Sequence, residues 1–170
     1  MSITLDTTVA GASSNAYADT TFYDSYFETN LIFTPVWLAL TSDQKKARIV
    51  QATKSVDVLT PDFTGVPYTY TQNLEFPRDI CDYRYPASSV HRRVKEAVGE
   101  MIVYQYYKQD ATGAIDAKEI SKIAAVSGLV DVEYFEKNDS SSADLAAGGS
   151  LERVRGLLSV WLGSKTLQRF

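Results

Sequence analysis

The tightest constraint on the fold is an apolar ladder within "SVHRRVKEAVGEMIVYQYYKQD", residues 89–110. Val90, Val94, Ala97, Val98, Met101 and Ile102 recur three and four residues apart, so on a helix they share one face. The ladder predicts a long helix that starts at Ser89 as N-cap, ends at "ATG" and forms the spine of a bundle. A stripe of that length needs other stripes to cover it. "YADTTFYDSYFETN" places Tyr23, Tyr26 and Phe27 at i, i+3 and i+4 behind Asp19, a favoured N-cap. "TSDQKKARIVQATKSVDVL" opens with the capping-box pair Thr41 and Gln44 and carries Ile49, Ala52, Thr53, Val56 and Leu59 on one side. It predicts a helix over 42–59. "SLERVRGLLSVWLG" puts Leu151, Val154, Leu157, Leu158, Trp161 and Leu162 on a last apolar face, with Gly163 at the C-cap position.

Between these helices lie two irregular stretches. Residues 60–88 hold four of the five prolines and read as a long, Tyr-rich loop. Within it, "QNLEFPRD" is a structural joint. Leu74 and Phe76, two apart on extended chain, pin the loop to the helices, and Pro77 biases Phe76 to that extended form. Arg78 and Asp79 fix the exit by a salt bridge or backbone hydrogen bonds. In "KEISKIAAVSGLVDVEYFEK", Val130, Val132 and Tyr134 alternate with Asp131 and Glu133, as in a half-buried strand, and Ser127-Gly128 supplies a turn. A β-hairpin over about 119–136 and a partly helical segment both remain open there. "NDSSSADLAAGGS" reads as a tether over 137–149. The expectation is one mainly α domain across residues 1–170. It has about four helices, with core helices over about 19–110, a hairpin insertion, and an amphipathic docking helix and tail over 150–170.

One cysteine excludes an intramolecular disulfide framework and fits a reducing compartment. The first residues lack the basic start and apolar run of a secretory signal, and no window suits a membrane span. A net charge of −4 argues against tight, non-specific nucleic-acid binding, which draws on Lys and Arg neutralising phosphates. The charge is uneven: the first 44 residues carry five acids and no base, whereas "KKARIVQATK" carries four bases and no acid.

The inventory of reactive side chains is thin. The single Cys81 and single His91 suggest no dyad with a third orienting group, and two arginines beside His91 disfavour its protonation. They cannot supply the four clustered ligands of a zinc site. No EF-hand spacing, Glu-x-x-His pair or phosphate loop is present, so neither an enzyme nor a cofactor is expected. What remains is polar aromatic surface: eleven tyrosines, several in the loop stretches "YTYT" and "DYRY". Tyrosines of this kind serve protein contacts, stack on single-stranded bases, or fold back onto their own domain.

"GASSNAYADTTFYDSYF", "WLALTSDQKKARIVQATKSVD", "QNLEFPRD", "VHRRVKEAVGEM", "GLVDVEY" and "LERVRGLLSVWLG", in that order, resemble a family of tailed-phage head-to-tail connector proteins. The resemblance covers nearly the whole chain. Some members carry the label of a primosomal, single-strand-DNA-binding-like protein, and an acidic chain without an evident basic groove does not favour that label. The resemblance implies a structural virion protein located in the neck. It implies a ring of copies, dodecameric, between the portal protein and a tail or stopper protein, with double-stranded DNA passing through unbound and no membrane partner. It places Leu151, Val154, Leu158, Trp161, Arg169 and Phe170 at a portal or subunit interface, and Arg92, Arg93 and Lys95 as channel-facing charges. Two other readings stand beside it: a single-stranded-DNA-binding module, suggested by the tyrosines and the "HRR" helix start, and a small hydrolase using Cys81.

Overall fold

The computed structural model describes residues 3–59, 63–114 and 142–162. Among these, the chain is mainly helical, with five helices and one two-stranded antiparallel ribbon. The helices are α1 (Thr20–Glu28), α2 (Thr34–Leu38), α3 (Ser42–Leu59), α4 (Arg92–Ala114) and α5 (Ser142–Leu158). The ribbon joins β1 (Val66–Pro67) to β2 (Arg78–Asp79), with Val66 opposite Asp79 and Pro67 opposite Arg78.

Local chemistry explains where the helices start. Asp19 caps α1 by accepting the Phe22 N–H at 2.9 Å. The capping box of α3 closes in both directions: Gln44 N–H donates to Thr41 Oγ1 at 3.3 Å, and Thr41 N–H to Gln44 Oε1 at 2.8 Å. The short α2 has no counterpart in the sequence reading, because five residues are too few to show a period. Pro35 in its first turn presets the backbone, and Trp37 is buried with its indole N–H on Asp24 at 2.6 Å. At α4 the expected cap is displaced. The helix begins at Arg92, so His91 rather than Ser89 holds the cap position, and its Nδ1 accepts the Arg93 N–H at 3.2 Å.

The core is built as the stripes dictate. Tyr23, Phe27, Ile49, Ala52, Val56, Val94, Val98, Ile102 and Leu158 are all fully buried. Burying each large apolar side chain contributes about 1.5–3 kcal/mol. α4 is the spine and packs most extensively on α5 and next on α3. Polar ties also cross the bundle: Tyr26 Oη of α1 donates to Glu100 Oε1 of α4 at 2.8 Å, Arg153 of α5 approaches the same oxygen at 3.6 Å, and Gln105 Nε2 of α4 donates to Ser55 Oγ of α3 at 2.8 Å. Gly99 permits the close approach, since a Cβ there would lie 2.6 Å from the Tyr26 ring.

Two expectations about the C-terminal part change. α5 begins at Ser142, so residues 142–149 of the expected tether are helical. Val154, Leu158 and Trp161 are buried in the chain's own core, and Leu151 is half-buried against it, so the stripe faces the chain's own helices. The hairpin expected at 119–136, residues 137–141, Gly163, Arg169 and Phe170 lie outside the described residues. The ribbon that is present belongs instead to the Pro-rich loop.

At "QNLEFPRD" the salt bridge of Arg78 has a different partner from the one expected. Leu74, Phe76 and Pro77 are buried, and the Phe76–Pro77 bond is cis. Phe76 meets Phe63 and Trp161 edge to face, at 4.8 and 5.4 Å between centroids. Arg78 pairs with Glu75 at 2.5 Å, not with Asp79. Its remaining donors reach the carbonyls of Phe63, Thr64 and Gly65 at 3.4, 3.1 and 2.8 Å. The guanidinium fork thus holds three successive carbonyls at once, a task that matches its planar array of donors.

Candidate functional site

The side chains with both charge and free aromatic surface gather after β2. Asp79 Oδ1 accepts the Cys81 N–H at 2.8 Å, and Cys81 takes a left-handed backbone (φ 57°) that turns the chain outward. A turn over 82–85 follows, closed by Tyr85 N–H on the Asp82 carbonyl at 2.9 Å. Aspartate at the first position of such a turn is favoured because its side chain accepts from the backbone two residues on, and Asp82 Oδ1 does so from Arg84 N–H at 3.0 Å. The result separates the tyrosines. Tyr83, second in the turn, is 94% exposed, while Tyr85 folds back onto the protein.

Tyr85 forms part of an aromatic floor. Its ring lies 4.9 Å from His91 and 5.1 Å from Trp161, and His91 lies 5.7 Å from Trp161. The floor is pinned from below, where Thr64 N–H and Oγ1 donate to the Trp161 carbonyl at 2.7 and 3.0 Å. Pro77, Arg78, Pro86 and Ser89 complete a shallow notch beside it. The free space in that notch is about 10 Å³, the room of a single water. Bases therefore have no pocket to enter. A flat ligand would have to stack on the exposed Tyr83.

Cations frame this surface. Arg84 bonds both oxygens of Asp82, with Nη2 at 2.7 Å, and these bonds hold the Asp82 carboxyl below the ordinary carboxylate range. Arg92 pairs with Glu96 at 2.7 Å. Arg93 reaches Tyr85 Oη at 3.4 Å, and no carboxylate among the described residues pairs with it. Both guanidinium groups stay in contact with solvent beside their carboxylates, 65% exposed at Arg84 and 80% at Arg92. Partial burial first, and the Arg93 charge second, lower the pKa of His91, against Glu96. The imidazole is accordingly neutral at pH 7, as its arginine neighbours led one to expect, although burial is the larger cause.

Lys95 does not join the group. Two residues on a helix turn by about 200°, and Lys95 lies over the Phe22 ring of α1 at 5.8 Å from its centroid. Cys81 is exposed and is not among the hydrogen-bond or ring partners of His91. Among the described residues no cluster of His, Cys, Asp and Glu could hold a metal ion, and no helix is long and apolar enough to cross a membrane. Sequence reading missed the division of labour within "DYRY". The available signal was Asp82 at a turn-initiating position, two residues before a basic side chain.

Residues 1–169 match the family described as "Putative DnaT-like ssDNA binding protein". No curated protein and no solved structure matches the chain. The family match overturns the connector resemblance. With it go the virion role, the portal and tail partners, the ring, and the expectation that DNA passes unbound. Arg84, Arg92 and Arg93 are exposed, and a net charge, which averages over the whole chain, does not describe such a local surface.

Proposed function

The chain belongs to the family of DnaT-like ssDNA-binding proteins, and from that premise we propose that it is a non-enzymatic module that binds single-stranded DNA. The family match along almost the whole chain carries the reading, and the surface around the 82–85 turn supports it. Tyr83 offers a base an exposed ring, and Arg84, Arg92 and Arg93 offer the backbone three guanidinium groups. This is the pairing of stacking with phosphate neutralisation that sequence-tolerant single-strand binding uses. With so few cations and a net charge of −4, the affinity is modest, and three guanidinium contacts give a salt slope of only about −2.

The test is a fluorescence-anisotropy titration with a labelled oligothymidine across a range of salt. Saturable binding is expected, with log K falling linearly as log salt rises. Arg93→Ala should reduce that slope by about 0.7, the value for one phosphate contact on a single strand. A flat titration at low salt refutes the function.

A further inference from the structure

The 82–85 turn has a counterpart at the other end of the ribbon. Residues 69–72 form a turn in which Gln72 N–H donates to the Thr69 carbonyl at 3.4 Å, and Gln72 Oε1 accepts the Thr69 N–H at 3.0 Å. Tyr70 occupies the second position, as Tyr83 does in its turn, and is fully exposed. The turn is braced from beneath. Gln72 Nε2 donates to the Leu74 and Pro77 carbonyls at 2.7 and 3.1 Å, and Asn73 Nδ2 to the Ser14 carbonyl at 2.7 Å. Asn73 N–H bonds the Gly11 carbonyl at 3.1 Å, and Tyr68 N–H the Pro77 carbonyl at 3.1 Å. These bonds fix the backbone from which the fully solvated ring projects, which lowers the ordering cost of stacking on it.

The two turns are linked by rigid chain. The antiparallel pairing sets the end of β1 beside the start of β2, so the 69–72 turn leaves one end of the ribbon and the 82–85 turn follows from the other. We propose that Tyr70 is a second base-stacking platform, and that one DNA strand is held at both Tyr70 and Tyr83 with the ribbon between them. This rests on the single-strand-binding reading above and adds the route of the strand. Exposed Val66 and Tyr68 continue the surface along the ribbon. From Tyr70 back to Val66 and from Asp79 on to Tyr83 is about eight residues of chain, and the step across the ribbon adds about 5 Å, so the two rings' backbones lie at most about 34 Å apart. At about 3.4 Å per stacked nucleotide that bound is roughly ten nucleotides, within the usual site sizes of single-strand binders.

The first platform differs from the second in charge. Between Val66 and Pro77 the single charged residue is Glu75, which Arg78 already neutralises. Tyr70 therefore contributes stacking without counterion release. Its removal should weaken binding without altering the salt dependence.

The experiment compares wild type, Tyr70→Ala and Tyr83→Ala against labelled oligothymidines of about 4 and about 16 nucleotides. The short strand reaches one platform and settles at Tyr83, beside the arginines; the long strand reaches both. Tyr70→Ala should weaken the long strand about ten-fold or more, spare the short strand, and leave the salt slope unchanged. Tyr83→Ala should weaken both. If the wild type binds the long strand and Tyr70→Ala binds it equally well, the second platform is refuted alone, and the turn is left to a protein contact or to none. If the wild type binds neither strand, the function fails and the platform with it.

Discussion

Asp57 should make the chain more stable in mild acid than at neutral pH. Its carboxyl, on α3, accepts hydrogen bonds from Tyr17 Oη and, at 3.5 Å, from Glu75 N–H, while Tyr17 Oη itself accepts from Phe76 N–H at 3.1 Å. It thereby ties the N-terminal segment and the joint to the bundle. Burial raises its pKa from 3.8 to about 6, outweighing the two hydrogen bonds that lower it, and the Glu75 charge adds to the rise. The folded chain thus binds this proton more tightly than the unfolded chain does. The associated stability is complete below about pH 4 and is lost as pH rises through about 6. A rise of about two units at 1.36 kcal/mol each gives about 3 kcal/mol. With a urea slope of about 2 kcal/mol/M, that moves the unfolding midpoint by about 1.5 M. Asp24 acts in the opposite sense but elsewhere: partial burial raises its pKa, but the hydrogen bonds from Lys45 and Trp37 and the Lys45 charge together outweigh it and lower the pKa, so its contribution fades only below about pH 4. His91 also opposes Asp57, since a lowered pKa favours the folded state as pH rises towards 6.5. Asp57→Asn separates the carboxyl from both. Urea unfolding of wild type and Asp57→Asn between pH 4.5 and 7.5 should show the wild-type midpoint falling and the variant's falling far less. Parallel curves for the two chains refute the reasoning.

Two further outcomes follow from the packing. Leu158→Asp sets a carboxylate among fully buried apolar side chains; a loss of several kcal/mol, seen as a collapsed melting temperature by circular dichroism, is expected. Gly65→Ala forces a Cβ to within 2.1 Å of the Asp79 carbonyl at a residue with φ of 78°, so the ribbon must open. A loss of about 1–3 kcal/mol is expected, with faster hydrogen exchange at the Tyr68 amide.

The parts of the fold legible in the sequence are those whose physics is local. Apolar spacing identified α1, α3 and α4, and the cap chemistry of Asp19, Thr41 and Gln44 fixed two helix starts. Elements that depend on neighbours were not legible. Ser89 has the right side chain for a cap, but the loop delivers His91 to that position, where its ring also lies tilted against Trp161. Arg78 reaches back to Glu75 because the backbone turn places that carboxylate beside it, which spacing alone does not reveal. The apolar stripe of α5 announced that something would cover Val154, Leu158 and Trp161, yet not that the cover is the chain's own α4 and joint. Function was the least legible. The tyrosines of "YTYT" and "DYRY" were visible as a class, and only the two turns separate the rings that face solvent from those that build the floor.

Trp161 also sets an order of events during synthesis. The Tyr85–His91 stack rests on an indole about seventy residues further along the chain, and Phe63 pairs with Leu162 just beyond it. A nascent chain still tethered in the ribosome at that point has its arginines and tyrosines but not the support beneath them. The aromatic floor therefore closes only once α5 has folded back onto the first half of the protein.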